Sequence, residues 1–157
     1  MKCTPLLLLP LIAAVSILAA GCSTGIGTGH GAGVGKPATV ESLAALENVD
    51  LNCVRLVTQG TAVNLPADAG INLRITGPGK VAGRAAVNRY FGGYTLAAPG
   101  EIQWTPFGTT RMAGPADRMT LEDQFLKALE ATTRVHATGN GLTLQSADGT
   151  TVVELTR

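Results

Sequence analysis

The segment Ile71–Gly83, INLRITGPGKVAG, is the clearest indication of fold class in this 157-residue chain. Residues Ile71–Ile75 alternate apolar and polar side chains, which is the period of a strand with one buried face. Gly77-Pro78-Gly79 is a turn sequence, because glycine and proline adopt the backbone angles that tight turns need. The segment after the turn, Lys80–Gly83, is therefore expected to pair back onto the first strand. The stretch predicts an antiparallel β-hairpin.

Two more pairs of short apolar segments are separated by turn residues, and each pair predicts a hairpin. The pairs are Tyr94–Ala97 with Glu101–Trp104, and Leu142–Gln145 with Val152–Leu155. Asp148-Gly149 lies in the second turn, and Asp-Gly is among the strongest short-range hairpin signals. Single strands are predicted at Leu51–Thr58 and Arg134–Thr138.

One segment has a helical pattern. Thr120 and Asp123 are spaced as in a capping box, which predicts a helix that begins there and ends at about Thr132. The apolar stripe expected to pack against a sheet consists of Leu121, Phe125, Ala128 and Leu129. The opposite face consists of Glu122, Lys127 and Glu130.

Many short strands with one helix predict a mainly β domain of the α+β type. We expect a single antiparallel, partly open β-barrel-like sheet packed with one α-helix. The sequence leaves open whether this sheet closes into a full barrel.

The first 22 residues predict export and lipidation. Lys2 precedes the apolar run Leu6–Ala20, and Leu18-Ala19-Ala20-Gly21-Cys22 matches the pattern of a lipobox. Pro10 interrupts the run, which is also shorter than the ~20 residues that span a bilayer. Residues 1–21 are therefore interpreted as a lipoprotein signal peptide, and Cys22 as the lipidated first residue of the mature chain.

The membrane is expected to be a partner through this N-terminal lipid. A diacylglycerol thioether with a third acyl chain, such as palmitate, exceeds the two hydrophobic signals that stable anchoring requires. Ser23 follows the lipidated cysteine, which favours the outer membrane, facing the periplasm, over inner-membrane retention. Glycine at every odd position from Gly25 to Gly35 predicts a flexible tether over residues 22–39. Residues 40–157 are predicted to form one domain.

The charge balance argues against a nucleic-acid partner. The chain has 12 Lys and Arg and 11 Asp and Glu residues, and removal of residues 1–21 takes away Lys2 and no acid, which leaves 11 of each sign. Nucleic-acid binders carry a basic excess or a clustered basic stripe, whereas these arginines are scattered along the sequence. No nucleic-acid partner is expected.

Cys53 is the only thiol expected in the mature domain, because Cys3 is removed with the signal peptide and Cys22 carries the lipid. It lies in a predicted strand, which favours an inert, packed thiol. A reactive thiol is the alternative.

No constellation of catalytic residues stands out. The serines of the mature chain lack the Gly-x-Ser-x-Gly turn of an acyl-transfer hydrolase, and His30 and His136 have no neighbours at metal-ligand spacing. Catalytic residues, a metal site and a cofactor are therefore not predicted. An enzymatic role would require carboxylates to converge in space, and the candidates are Glu101, Asp117, Glu122 and Asp148.

Two dense blocks remain: Val81–Tyr94, VAGRAAVNRYFGGY, and Thr109–Ala113, TTRMA. Asn88 tolerates a left-handed conformation and Gly92-Gly93 permits positive φ, so the first block is interpreted as a structural corner. Arg111 is interpreted as a clamp that holds the corner through backbone carbonyls, with a ligand site as the alternative.

Together the blocks resemble the META domain (HslJ-like) lipoprotein family over about residues 49–157. The matching motif positions are Gly83, Asn88, Gly93, Tyr94, Thr110, Arg111 and Met112. Many relatives have two cysteines where this chain has Val87 and Gly114. The resemblance implies a β-rich, non-enzymatic protein of the cell envelope that is tied to heat shock, stress or antibiotic tolerance.

The resemblance extends to lipid-binding pilot lipoproteins, and two binding modes follow. In one, an apolar groove between sheet and helix accepts a hydrophobic ligand or a partner peptide. The residues predicted to line that groove are Phe91, Trp104, Phe125 and Leu129. In the other, the domain pilots another envelope protein and exposes an apolar patch on its outside.

Overall fold

The computed structural model describes residues 35–157, which fold into eleven strands and two helices. The strands are β1 (Lys36–Pro37), β2 (Leu51–Thr58), β3 (Thr61–Ala62), β4 (Asn72–Gly77), β5 (Lys80–Ala85), β6 (Asn88–Ala98), β7 (Glu101–Trp104), β8 (Gly108–Thr109), β9 (Thr132–Ala137), β10 (Gly141–Ser146) and β11 (Val152–Thr156). The helices are α1 (Val40–Ala44) and α2 (Ala116–Ala131). The predicted mainly β domain with one principal helix is confirmed.

Eight strands form an antiparallel barrel in the order β9-β10-β11-β2-β4-β5-β6-β7. The barrel closes where β7 meets β9, at the pair Glu101↔Arg134. Beside this pair the Val135 N–H donates to the Gly100 carbonyl at 2.9 Å. The sheet that the sequence left partly open is therefore closed, through a short seam. Strands β1, β3 and β8 lie outside the barrel and pair with β9, β2 and β6.

All three predicted hairpins are present in the barrel. Their central pairs are Ile75↔Val81 in β4–β5, Leu96↔Ile102 in β6–β7 and Leu144↔Val153 in β10–β11. Each turn contains a glycine with positive φ, at Gly79, Gly100 and Gly149. This left-handed backbone costs glycine little, because it has no Cβ.

The N-cap of helix α2 lies five residues earlier than predicted. Pro115 is its N-cap residue, and the Met119 N–H donates to the Pro115 carbonyl at 3.0 Å. Thr120 is thus inside the helix, where its hydroxyl donates to the Ala116 carbonyl at 2.9 Å instead of capping. The apparent capping box was misleading because the fixed φ of proline is itself compatible with a helix start.

Helix α2 packs against β2, β5, β10 and β11. Strands β5 and β10 are four places apart in the cycle of eight, so they lie on opposite sides of the barrel and α2 covers one of its ends. The predicted apolar stripe of α2 faces inward, with Phe125 and Leu129 fully buried. The Phe125 ring lies 5.8 Å from that of Tyr90, with the planes at 64°.

The interior of the barrel is filled by side chains. The cavity inside it measures about 10 Å³, which is at most the space of one water molecule. Its lining residues include Leu73, Val81, Trp104, Val135 and Leu144. A lipid tail does not fit into this space.

The folded domain begins before residue 40. Lys36 and Pro37 pair with β9, Ala38 is fully buried, and Thr39 caps α1 through the Ser42 N–H. The predicted tether therefore ends several residues earlier than residue 39. The rest of the tether, the predicted signal peptide, Cys22 and His30 lie outside the described residues. Within residues 35–157, neither helix has the length and apolarity needed to cross a membrane.

Candidate functional site

Asn88 joins the two motif blocks. Its side-chain Oδ1 accepts hydrogen bonds from the Met112 N–H and the Thr110 hydroxyl, both at 2.8 Å, and its Nδ2 donates to the Met112 carbonyl at 3.1 Å. The backbone bond from the Thr110 N–H to the Arg89 carbonyl, at 3.0 Å, continues the contact. Asn88 is 2% exposed. It is the clamp that holds the Thr-Arg-Met segment.

Glu122 completes this arrangement from helix α2. Its carboxylate accepts the Asn88 N–H at 2.7 Å and Asn88 Nδ2 at 3.0 Å. Glu122 is only 7% exposed, so the prediction that it lies on the solvent face is wrong. Burial is tolerated because both carboxylate oxygens have donors. We refer to Asn88, Thr110, Met112 and Glu122 as the Asn88 cluster.

Arg111 does not act as the predicted clamp. It is exposed, and its guanidinium makes no hydrogen bond or ion pair within residues 35–157. The short amide of Asn88 performs this role instead, because it presents a donor and an acceptor from within the fold.

The glycines of the first block are explained by close packing rather than by positive φ. A Cβ on Gly83 would lie 2.2 Å from the Asn72 carbonyl oxygen and 2.8 Å from the Tyr90 ring, and one on Gly92 would lie 2.6 Å from the Phe107 ring. The left-handed residue of this region is Ala86, with φ 63°, and not Asn88 or Gly92-Gly93.

The remaining motif residues support neighbouring strands. A Cβ on Gly93 would lie 3.0 Å from the Gly79 carbonyl oxygen. That carbonyl accepts the Tyr94 N–H at 3.0 Å, and the half-buried Tyr94 ring packs on Trp104 at 6.2 Å. These positions hold the β5–β6–β7 region together, so their role is structural.

Of the four residues predicted to line an apolar groove, three belong to the filled core and the fourth, Phe91, lies apart from them on the surface. Phe125 and Leu129 are buried inside the barrel, and the half-buried Trp104 donates through Nε1 to the Thr132 hydroxyl at 3.0 Å. Phe91 is 61% exposed on the outer face of β6. Side chains alternate along a strand, so Phe91 points away from the interior that its neighbour Tyr90 occupies.

An open cleft of about 590 Å³ lies on the outer face of β4, β5 and β6, beside the Asn88 cluster. Its charged lining residues are Asp50, Arg74, Arg84 and Arg89, and Met112, 54% exposed, also lines it. We call this site the arginine cleft. Sequence reasoning missed it, because the arginines are scattered along the chain and only strand pairing brings them together.

The arginines of the cleft differ in their partners. Arg74 Nε donates to Asp50 Oδ1 at 2.8 Å, and a terminal nitrogen of Arg74 binds the other carboxylate oxygen. These bonds lower the pKa of Asp50. Arg84 and Arg89 lie directly opposite each other in the β5–β6 register. The ion pairs of residues 35–157 are Arg55–Glu154, Arg74–Asp50, Arg118–Asp68 and Lys127–Asp123. Residues 1–34 contain no Asp or Glu, so no acid pairs with Arg84 or Arg89.

The candidate catalytic carboxylates serve separate structural roles. Glu101 lies opposite Arg134 at the barrel seam, Glu122 belongs to the Asn88 cluster and Asp117 lies in the first turn of helix α2. Asp148 lies in the β10–β11 turn, where hydrogen bonds from the Ser146 hydroxyl and then from Thr150 lower its pKa to about 2. Within residues 35–157, no three His, Cys, Asp or Glu side chains form a group that could hold a metal ion.

Cys53 is half-buried and packs against the core. Its thiol donates a hydrogen bond to the Arg55 carbonyl oxygen at 3.5 Å. Burial raises the pKa of the thiol to about 12. The reactive form is the thiolate, so Cys53 is expected to stay unreactive to iodoacetamide at pH 8 in the folded protein. Denaturation should restore ordinary labelling. Rapid labelling of the native protein, measured by mass spectrometry, would contradict the prediction that the Cys53 thiol is inert.

The META domain family matches residues 44–157 of the chain. Among solved structures, the fold is similar to that of a protein from Burkholderia xenovorans, determined by NMR, with a TM-score of 0.63 and 23% identity over 83% of this chain and 95% of that one. It is also similar to the crystal structure of a duf4847 family protein from Bacteroides vulgatus, with a TM-score of 0.54 and 13% identity over 75% of this chain and 96% of that one. None of the curated proteins matches the chain. At these identities the structural likeness shows the fold alone.

Proposed function

The chain belongs to the META domain family, and from this premise we propose that it is a cell-envelope lipoprotein that acts as a non-enzymatic binding module through the outer face of its barrel. The physiological role proposed with it, as the family resemblance implies, is tolerance of heat shock, envelope stress or antibiotics.

The contrast between the barrel interior and its outer face carries this proposal. The interior cavity of about 10 Å³ is too small for a hydrophobic ligand, which argues against a site for a lipid tail inside the barrel. The outer face offers an open cleft of about 590 Å³ that Met112 helps to line, and Phe91 is exposed on β6, one of the three strands that form the cleft. Exposed apolar side chains beside polar groups are typical of contact surfaces, which favours the pilot-like alternative.

The anchor is proposed from the sequence before the domain. Lipidated Cys22 and Lys36 are 14 residues apart, so a fully extended tether reaches up to about 50 Å at ~3.3–3.6 Å per residue. This length lets more than one face of the domain approach the outer membrane or a partner on its periplasmic side.

A photo-crosslinking amino acid tests the outer-face proposal in cells. Placed at Met112 or at Phe91, it is expected to give discrete adducts. Placed at Val54, which is 55% exposed on β2 and lies outside the cleft, it serves as the matched control. Adducts of equal yield at Val54 would show that contact with the cleft face is nonspecific.

The same cells test the anchor. Cys22→Ala is expected to abolish incorporation of labelled palmitate and to release the domain from the membrane fraction, because the lipid is the proposed attachment. If the variant still incorporates palmitate and stays in the membrane fraction, the lipoprotein part of the proposal is wrong. The crosslinking result does not depend on that outcome.

A further inference from the structure

We propose that the arginine cleft binds a phosphate group, supplied by a free phosphate ester or by a phospholipid headgroup. This inference deepens the proposed outer-face binding, on which it rests. It adds the chemical class of the ligand and the residues that recognise it.

The cleft carries an excess of positive charge. Three guanidinium groups, of Arg74, Arg84 and Arg89, line it with the single carboxylate of Asp50, which leaves two positive charges in excess. Like charges directly opposite on neighbouring strands destabilise a sheet, and Arg84 and Arg89 are such a pair. An anion bound between them would offset this repulsion.

Two of the three guanidinium groups are held by hydrogen bonds. Arg84 Nε donates to the Ala86 carbonyl at 3.2 Å, and the Arg74 guanidinium binds both carboxylate oxygens of Asp50. The two terminal nitrogens of Arg84 remain available to a ligand. A side chain that is already oriented loses less conformational freedom on binding. The cleft is therefore partly preorganised for a ligand.

The number of guanidinium groups favours phosphate over carboxylate. Arg74 with Asp50 shows that one guanidinium satisfies one carboxylate in this cleft. Two further guanidinium groups on adjacent strands suit a terminal phosphate, that is a phosphomonoester, which has three free oxygens and up to two negative charges. Met112 at the edge of the cleft offers an apolar contact to the remainder of a larger ligand.

Titration of the full chain in detergent tests the site. The probes are inorganic phosphate, dihexanoyl phosphatidic acid, whose phosphate is terminal, and acetate. The readouts are the melting temperature and the Nε–Hε NMR signals of arginine. Phosphate at tenfold its Kd is expected to raise the melting temperature by about 3–5 °C, with saturable shifts of the Arg84 signal. Tighter binding of the lipid than of inorganic phosphate identifies the headgroup as the source, and equal or weaker binding identifies a free phosphate ester.

Three variants complete the test. Arg89→Gln is expected to weaken phosphate binding roughly tenfold or more, because it removes charge-assisted hydrogen bonds. In phosphate-free buffer it should melt no lower than the parent, because it relieves the Arg84–Arg89 repulsion. Arg89→Lys, which keeps the charge without the planar fork, should bind with intermediate affinity. Arg134→Gln makes the same charge change on β9 and should bind like the parent.

Absence of saturable phosphate binding, or acetate binding as tight as that of phosphate, would overturn the inference. Crosslinking at Met112 would still support the outer-face proposal in that case, since it does not depend on the ligand's chemistry. The two proposals can therefore fail separately.

Discussion

Replacing Asn88 by alanine is expected to lower the free energy of unfolding by about 3–5 kcal/mol, because a charge-assisted hydrogen bond contributes ~1.5–3 kcal/mol and each orphaned buried group costs ~1–3 kcal/mol. The substitution removes the bond from Asn88 Nδ2 to Glu122 and both side-chain bonds to the Met112 backbone. Urea unfolding, with the slope checked for two-state behaviour, measures the loss.

Asn72→Ala is the matched control for this prediction. The Asn72 side chain accepts the Arg84 N–H at 2.8 Å and donates to Asp50 Oδ1 at 3.4 Å, both at exposed positions, so its loss should cost no more than about 1 kcal/mol. Comparable losses at Asn72 and Asn88 would contradict the importance assigned to the Asn88 cluster.

A double-mutant cycle separates the bond to Glu122 from the rest of the cluster. Asn88→Ala and Glu122→Gln both disrupt the same carboxylate–amide contact, so the double variant should lose less than the sum of the single losses, by about 1.5–3 kcal/mol. Lys127→Ala breaks only an exposed ion pair of α2. Its loss of unfolding free energy should therefore add to that of Asn88→Ala when the two substitutions are combined. Additivity of Asn88→Ala with Glu122→Gln would contradict the pairing.

The fold was predictable from local patterns, whereas the Asn88 cluster was not. Alternating side chains and turn residues identify each hairpin within about 15 residues of sequence, and the structure confirms them. Glu122 lies 34 residues from Asn88, and an acidic residue beside an apolar stripe is ordinarily exposed. Only the three-dimensional contact with Asn88 explains why this carboxylate is buried.

The arginine cleft could have been approached from the hairpin register. Arg84 and Arg89 lie on either side of the β5–β6 turn, so pairing of these strands places them opposite each other. The contribution of Arg74 depends on the β4–β5 register as well, in which it lies opposite Ala82. The scattered spacing that argued against nucleic-acid binding thus hid a local cluster of positive charge.

Replacing Phe125 by alanine is also expected to cost about 3–5 kcal/mol, the usual range for removal of a large aromatic side chain from a core. Phe125 is fully buried at the end of the barrel that α2 covers, against the Tyr90 ring. The surrounding strands form a closed barrel and cannot collapse fully into the space. Urea unfolding of Phe91→Ala provides the matched control, and its change should stay within about 0.5 kcal/mol because Phe91 is exposed.

The Phe125→Ala variant also distinguishes binding inside the barrel from binding on its outer face. Empty apolar cavities of sufficient size take up benzene, so benzene is expected to raise the melting temperature of Phe125→Ala and to leave that of the parent unchanged. The parent lacks the space, because its interior cavity measures about 10 Å³. Stabilisation of the parent by benzene would show that its interior opens to apolar ligands, and the groove between sheet and helix would then become the better candidate site.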